Sequence, residues 1–239
     1  MFQIIKIKLN YVLFTIINKN MDKTKSEDNQ YDLTFKMIVI GDPGVGKSCL
    51  TGRAVKDKFD SQYAPTIGFE FLTYSVKIKD KIIKLQIWDT CGQEMYRSLI
   101  RNFYRNASLA MMVYSINSRE SFMHINTWLK EVKIQSHPDI KIILIGNKSD
   151  LEDSRTVSYE EAKKFKEENQ LLYFEETSAK TGVNAKEAFT EAAKILFEEH
   201  LNYKTRAQNI SFSDNSSVNT YTTVSTKLIK VPQKRNSES

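Results

Sequence analysis

The fold is decided by eight residues at positions 41–48, with the sequence GDPGVGKS. They follow an apolar, β-branched run, Leu33–Ile40, that predicts a strand, and they precede residues 48–58, whose spacing predicts a helix. A glycine-rich loop that ends in Lys-Ser between a strand and a helix is the pattern of a phosphate-binding loop. A chance glycine turn would not be expected to fill every position of that pattern in its required context.

Each part of this loop has a chemical role in the pattern. Backbone N–H groups can surround a β-phosphate at a helix N-terminus, where the helix dipole favours an anion. The Lys47 ammonium can reach the β- and γ-phosphates, and the Ser48 hydroxyl can bind Mg²⁺. We therefore predict nucleotide contacts from Gly44, Val45, Gly46, Lys47, Ser48 and Cys49.

Beyond the loop, short β-branched runs alternate with longer helical ones. The predicted strands are residues 70–78 and 82–89, joined by a tight turn at 79–81, then Leu109–Ser115, 140–146 and 172–174. Capping boxes that begin with Asn117, Ser158 and Asn184 predict the starts of three helices. This alternation predicts an α/β fold, a mostly parallel six-stranded sheet with helices on both faces. Ligands of such sheets bind outside the carboxyl ends of the strands.

A second motif at a strand end, Asn147-Lys148-Ser149-Asp150, bears on the choice of base. The Asp150 carboxylate can accept hydrogen bonds from N1–H and the exocyclic amine of guanine. Adenine does not present that pair of donors, and a buried carboxylate left unmatched would reject it. Asn147 can orient the loop, and the stem of Lys148 can lie over the base.

A third motif, residues 88–94 with the sequence WDTCGQE, also follows an apolar strand. Asp89 suits a place behind a Mg²⁺ ion, and Gly92 lets a backbone N–H approach a γ-phosphate. Gln93 can orient an attacking water. A strand-ending aspartate with a glycine turn would explain any one of these residues but not the set.

Together the three motifs resemble the Ras-like small GTPases, over about residues 33–200. Within that superfamily the sequence is most similar to the Rab branch, because residues 67–71, 84–90 and 96–99 resemble its segments around the two switches. The resemblance implies the P-loop small G-domain fold. It also implies GTP and GDP as ligands with Mg²⁺, and exchange factor, activating protein and effectors as partners of a monomer.

The same resemblance assigns further residues. It makes Thr66 the switch I ligand of Mg²⁺ and Phe59 the aromatic residue that packs against guanine. Ser178, Ala179 and Lys180 resemble the last base-binding loop. The effector face would include apolar residues near the switches, each of which is also an ordinary candidate for the core: Phe69, Trp88 and Met95 or Tyr96. The implied catalytic residues are Gln93 and Lys47, and the implied metal site consists of Ser48, Thr66 and Asp89.

Three features depart from the Rab pattern. Pro43 lacks an N–H and has a fixed φ, which removes a backbone donor near the γ-phosphate. Cys91 replaces the usual alanine, either as tolerated packing or as a residue that alters switch II or senses redox state. No cysteine follows Cys91, so the usual C-terminal prenylation has no acceptor there, and membrane association is left open.

Composition divides the chain into three parts. The net charge of +6 lies in the ends, because residues 31–200 carry 24 charges of each sign, which argues against nucleic-acid binding. We expect an N-terminal extension (1–30), a G domain (31–201) and a flexible basic tail (202–239). The extension has two alternative interpretations: either Met21 is the working start of the protein, or residues 2–17 form an interfacial anchor. Its longest stretch without lysine, residues 9–18, is about half as long as a helix needs to be to span a bilayer. The expected location is intracellular, in the cytosol or peripherally on endomembranes.

The three motifs favour a GTP-hydrolysing switch, and the resemblance to the Rab branch implies a role in vesicle transport. Pro43 and Cys91 motivate an alternative, a module that binds GTP and recruits effectors with negligible hydrolysis. A third class, an ATPase or kinase built on the same loop, is opposed by Asp150.

Overall fold

The computed structural model describes residues 31–60, 69–90 and 103–213, with side chains described as far as residue 206. Its strands are β1 (Leu33–Ile40), β2 (Phe69–Ile78), β3 (Lys81–Thr90), β4 (Leu109–Ser115), β5 (Lys141–Asn147) and β6 (Tyr173–Thr177). Its helices are α1 (Lys47–Lys56), α2 (Arg119–Met123), α3 (Ile125–Gln135), α4 (Tyr159–Glu168) and α5 (Ala185–Ser213), with a 3₁₀ turn at Glu152–Ser154.

The strands form one six-stranded sheet in the order β2-β3-β1-β4-β5-β6. Only β2 and β3 pair antiparallel; the other described pairs are parallel. The hairpin between β2 and β3 is closed by Lys79 and Asp80, with Lys79 at φ 54°, inside the predicted turn. The predicted mostly parallel sheet is therefore confirmed, and it aligns the carboxyl ends of β1, β3, β4, β5 and β6 along one edge.

Two apolar layers enclose the sheet. Side chains of a strand alternate between its faces, so Ile38 and Ile40 of β1 lie in one cluster while Met37 and Val39 lie in the other. Every residue of β4 is buried, as a central parallel strand covered on both faces requires. Trp88, expected on an effector face, is fully buried beside Phe69 and Phe103, because its large ring fills the first of these clusters.

The element boundaries correct several details of the sequence prediction. Strands β1 and β4 have the predicted ends, but α1 stops at Lys56 because Asp57 takes a left-handed conformation, φ 54°. The helix after β4 is capped by Ser118, whose Oγ accepts from Ser121 N at 3.3 Å. Asn117 was the predicted cap, but its side chain accepts a hydrogen bond from Ser115 Oγ at 2.6 Å instead.

The other two capping boxes have different outcomes. Ser158 caps α4 as predicted, accepting from Glu161 N at 3.1 Å. Asn184 directly precedes α5, but its side-chain amide donates to the Glu176 carbonyl oxygen at 2.9 Å and so joins the start of the helix to β6. That strand runs from Tyr173 to Thr177, further than the predicted 172–174, because its backbone pairs with β5 as far as Asn147.

The chain divides into two units, residues 1–201 and 202–239. Residues 202–213, expected to belong to a flexible tail, continue helix α5. In the part of the chain that the structure describes, no helix is both long enough and apolar enough to cross a membrane.

Candidate nucleotide-binding site

The loop between β1 and α1 adopts a backbone that its glycines make possible. Gly41, Gly44 and Gly46 have φ values of 140°, 76° and 93°, in the region that L side chains rarely adopt. A Cβ on Gly46 would lie 2.5 Å from Nδ2 of Asn147, and one on Gly41 would lie 2.1 Å from the Val113 carbonyl oxygen. Both positions therefore require glycine, for conformation and for space.

Lys47 begins α1 and bends back over this loop. Its Nζ donates to the carbonyl oxygens of Gly41 and Asp42, at 2.8 Å each, and the residue is only 5% exposed. A buried ammonium group retains its charge only when it is well hydrogen-bonded. The loop thus holds a positive charge among the backbone groups predicted to bind phosphate.

Ser48 and Asp89 form a buried polar pair at the carboxyl ends of β1 and β3. The Ser48 hydroxyl donates to Oδ2 of Asp89. The Asp89 carboxyl is fully buried, and burial raises its pKa to about 7 despite that hydrogen bond. Its Oδ1 has no hydrogen-bond partner among the described residues.

This pair fits a divalent cation. Mg²⁺ prefers oxygen ligands, and an orphaned buried carboxylate oxygen beside a hydroxyl is a site that a cation would satisfy. Residues 31–60, 69–90 and 103–213 contain no cluster of three acidic, His or Cys side chains that could hold a metal alone. An ion at Ser48 and Asp89 would therefore complete its coordination with phosphate oxygens and water, as Mg²⁺ commonly does.

Asn147, at the end of β5, joins the loop after β1 to the end of β6 and the loop that follows it, which the sequence predicts to bind the base. Its Nδ2 donates to the Val45 carbonyl oxygen at 2.9 Å. Its Oδ1 accepts from Thr177 Oγ1 at 3.2 Å and from the Ala179 N–H at 3.3 Å. The side chain is 1% exposed, so these bonds replace water entirely. One buried amide thus sets the distance between the loop at β1 and the loops after β5 and β6.

The predicted base-reading residues also meet. Asp150 Oδ1 accepts from Ser178 Oγ at 2.6 Å, and Lys180 Nζ lies 3.9 Å from Asp150 Oδ2. The Asp150 side chain is 12% exposed, so its carboxylate is mostly removed from water. Lys148, between the two motif residues, has φ 68° and approaches Gly46 with its Cε.

The remaining predicted residues have mixed outcomes. Val45 is 2% exposed with its side chain in the core, so it can serve a ligand only through its backbone. Cys49 is half-buried, and burial raises the pKa of its thiol. Phe59 is 37% exposed. Thr66, Cys91, Gly92, Gln93, Met95 and Tyr96 lie outside the described residues.

Two contacts at the site were not predicted from the sequence. Asp42 is held by helix α3 and the residue before it: Oδ2 lies 2.6 Å from His124 Nδ1, and Oδ1 accepts from Trp128 Nε1 at 2.8 Å. Arg53 of α1 donates to the carbonyl oxygens of Ala179 and Lys180 at 2.8 Å each. Because these partners are 82 to 127 positions apart in sequence, no local sequence pattern predicts their contacts.

Comparison with known protein families agrees with this geometry. The family model described as the Ras family matches residues 36–198. The chain belongs to the Ras family. Ras-family domains are small GTPases that bind GTP and GDP with Mg²⁺ and, in general, hydrolyse GTP. The matched range begins within β1 and ends near the middle of α5, so it includes residues 41–48, 147–150 and 178–180, where the sequence predicts nucleotide contacts.

Proposed function

We propose that this Ras-family protein is a Rab-like switch that binds GTP, hydrolyses it to GDP and acts in vesicle-mediated transport. The observation that carries the proposal is the junction at Asn147, which joins the loop after β1 to the loop after β6, where Ser178 in turn holds Asp150. Resemblance to the Rab branch around the switches, in residues 67–71 and 84–90, supports the finer assignment.

Base selection follows from the environment of Asp150. One carboxylate oxygen is held by Ser178, and the side chain is mostly removed from water. Guanine offers two adjacent N–H donors to such a group, and adenine would leave it unmatched at a cost of about 1–3 kcal/mol or more for a charged acceptor. The site therefore favours guanine over adenine nucleotides.

The phosphate end has a complementary charge distribution. Lys47 and the N-terminus of α1 place positive charge at the loop. Ser48 and Asp89 would hold Mg²⁺ with Thr66, and the ion would neutralise charge on the phosphates. Gln93 orients the attacking water in this proposal. A γ-phosphate that draws in the backbone near Thr66 and Gly92 would order the two switch segments, which relax after hydrolysis.

Nucleotide binding and turnover test the proposal. Purified protein with Mg²⁺ should bind GTP and GDP at least a hundredfold more tightly than ATP and ADP. Single-turnover assays should show release of phosphate that slows in Gln93→Leu. Equal displacement of bound nucleotide by GTP and ATP would contradict the base assignment.

Pro43 favours a second candidate, a GTP-binding module that recruits effectors with negligible hydrolysis. Proline offers no N–H at this position of the loop, so one backbone donor is lost near the γ-phosphate. Single-turnover rates of the wild type and of Pro43→Ser separate the two candidates. A wild-type rate indistinguishable from that of Gln93→Leu, with guanine binding intact, would favour the module.

The transport role is tested by location. Two chains that begin at Met1 and at Met21 and both continue to residue 239 should fractionate with endomembranes when GTP-loaded, and less so when GDP-loaded. If neither chain associates with membranes in either state, the assignment to vesicle transport is wrong while the nucleotide chemistry stands.

A further inference from the structure

Lys36 lies in the first half of β1, at the end of the sheet opposite to the predicted nucleotide site. Its side chain is partly buried. Its Nζ lies 5.0 Å from the centre of the Trp88 ring, which is fully buried, and donates to the Arg105 carbonyl oxygen at 2.8 Å in a hydrogen bond that is exposed to solvent. The amine therefore lies where the apolar core meets solvent, with its stem packed and its nitrogen within reach of a reagent.

The surroundings of Lys36 contain no acid to neutralise its charge. On β3, Gln86 is in register with Lys36, and the residues on either side of Gln86 on this face of the sheet are Lys84 and Trp88. The nearby residues of β2 on the same face are uncharged: Phe71, Thr73 and Ser75. The charged side chains of this neighbourhood, Lys84 and Arg105, are cations. Lys36 is absent from the ion pairs that lysines form among the described residues.

Burial without a counter-ion favours the neutral form of the amine. Partial removal from water lowers the pKa of Lys36 from 10.5 to about 8. The Trp88 ring attracts the cation, but this attraction does not offset the lost hydration. At pH 7.4 about a fifth of the Lys36 amines are therefore neutral, compared with about 0.1% for a lysine of ordinary pKa. Only the neutral amine has the lone pair that makes it a nucleophile.

We propose that Lys36 is a modification site that is acylated by thioesters, because it is a solvent-accessible amine packed on an aromatic ring with no carboxylate beside it. The neutral nitrogen attacks the carbonyl carbon of the thioester. A C–N bond forms as the C–S bond breaks, and the thiolate leaves with the electron pair and takes up the proton that the nitrogen loses. The products are an amide and a thiol, with no change of oxidation state.

The amide product fits the contacts of Lys36. It keeps one N–H, which can still donate to the Arg105 carbonyl oxygen, and it no longer carries a charge that must be hydrated. The reaction uses no part of the predicted nucleotide site, so the proposal is independent of the proposed function.

Acetyl-coenzyme A is the probe, and the full chain is the protein tested. Mass spectrometry of proteolytic peptides measures the initial rate of acetylation at each lysine at pH 7.4. Lys77 is the reference, because it is exposed on β2 and forms no ion pair among the described residues. We expect Lys36 to react about tenfold faster than Lys77. The ratio of neutral fractions would allow roughly 200-fold, but a less basic amine is a weaker nucleophile and partial burial limits access.

The pH dependence of the two rates separates a neutral amine from one that is only accessible. The rate at Lys36 should level above about pH 8, whereas the rate at Lys77 should continue to rise up to pH 10. The ratio of the two rates should therefore fall roughly thirtyfold between pH 8 and pH 10.

Two substitutions of Gln86 test the missing counter-ion. Gln86→Glu places a carboxylate in register with Lys36 on the neighbouring strand, and acetylation of Lys36 at pH 7.4 should slow at least fivefold while that of Lys77 is unchanged. Gln86→Met is the matched control, because it has a similar length and no charge, and Lys36 should then react at the wild-type rate. Circular dichroism of both variants checks that they are folded.

Three results would overturn the proposal. The first is an equal rate at Lys36 and Lys77 at pH 7.4. The second is a rate at Lys36 that rises in parallel with that at Lys77 up to pH 10. The third is a folded Gln86→Glu variant in which Lys36 reacts at the wild-type rate, and if this variant does not fold, the pH profile of the wild type decides. None of these measurements uses a nucleotide, so failure of the proposed function would be seen separately.

Discussion

Substitution of Trp128 by phenylalanine tests how the phosphate loop is held in place. The change removes the indole N–H that donates to Asp42 Oδ1 at 2.8 Å and keeps an aromatic ring in the core. Asp42 retains its contact with His124 at 2.6 Å, so its carboxylate is not left without a partner. The substitution therefore weakens one of two side-chain contacts between the loop and the region of α3.

The expected magnitude follows from the charge and exposure of Asp42. A hydrogen bond to a charged group contributes about 1.5–3 kcal/mol to stability. Because the Asp42 side chain is 17% exposed and water can partly replace the indole, the lower end of that range applies. If the GDP-bound protein loses all of the stabilisation that this hydrogen bond supplies, GDP dissociates about tenfold faster, since about 1.4 kcal/mol corresponds to a factor of ten.

Release of a fluorescent GDP analogue and urea denaturation of the GDP-bound protein measure the two effects. Tyr74→Phe is the matched control, because it also removes a hydrogen bond of an aromatic side chain. The Tyr74 hydroxyl and Thr190 Oγ1 share this bond, at 2.9 Å, between β2 and α5. The control should lower stability without changing GDP release. Equal acceleration of release in both variants, or none in Trp128→Phe, would refute the view that α3 positions the loop.

Three other substitutions or conditions have expected outcomes. Asp150→Asn should shift preference from guanosine to xanthosine diphosphate, measured by competition, because the new amide donates to the second carbonyl of xanthine where the carboxylate accepted from guanine. The affinity of the GDP-bound protein for Mg²⁺, measured by titration, should rise as pH increases towards about 7 and then level, since the ion must displace the proton that burial keeps on Asp89. Burial lowers the pKa of Lys36 to about 8, so the unfolded chain holds more protons between pH 8 and 10.5 and stability should rise with pH in that window. Lys36→Met should reduce that rise, by about 1–2 kcal/mol in denaturation curves at pH 8 and pH 10.

Strand ends are best predicted from the sequence where the burial of an apolar run alone determines them. The ends of β4 follow from an apolar run that is buried on both faces, and the second half of β1, residues 37–40, is buried in the same way. Strand β6 was underestimated because Glu175 and Glu176 do not look like strand residues. Arg155 neutralises Glu176 through two bonds of 2.7 Å, a tertiary contact that local pattern does not contain.

The choice of helix cap shows a similar limit. Asn117 and Ser118 are both good N-cap residues. The capping-box pattern favours Asn117, because Glu120 follows it by three positions. The structure uses Ser118 because Asn117 is engaged by the Ser115 hydroxyl. Competition between two nearby polar side chains is decided by a third residue, which a cap rule of fixed spacing does not include.

At the site, motif residues were predictable and their supports were not. Lys47, Ser48 and Asp150 are recognisable because their spacing is tied to the chemistry of a ligand. His124, Trp128 and Arg53 act through backbone or carboxylate groups of other residues, so their requirement is a distance in space with no fixed separation along the chain. Identification of such residues needs the three-dimensional arrangement of the sheet edge.

The position of Asn147 has a consequence for how affinity and specificity are related. Its amide group donates to Val45 in the loop after β1 and accepts from Thr177 at the end of β6 and from Ala179 in the next loop, and it is almost fully buried. A displacement that shortens one set of bonds lengthens the other, because the side chain is rigid between Nδ2 and Oδ1. The distance between the loop after β1 and the loop after β6 is therefore set by one side chain, and the two ends of a nucleotide must fit that distance together. A nucleotide whose base fits poorly should also be held less well at its phosphates, so we expect selection of guanine and tight binding of phosphate to depend on the same buried group.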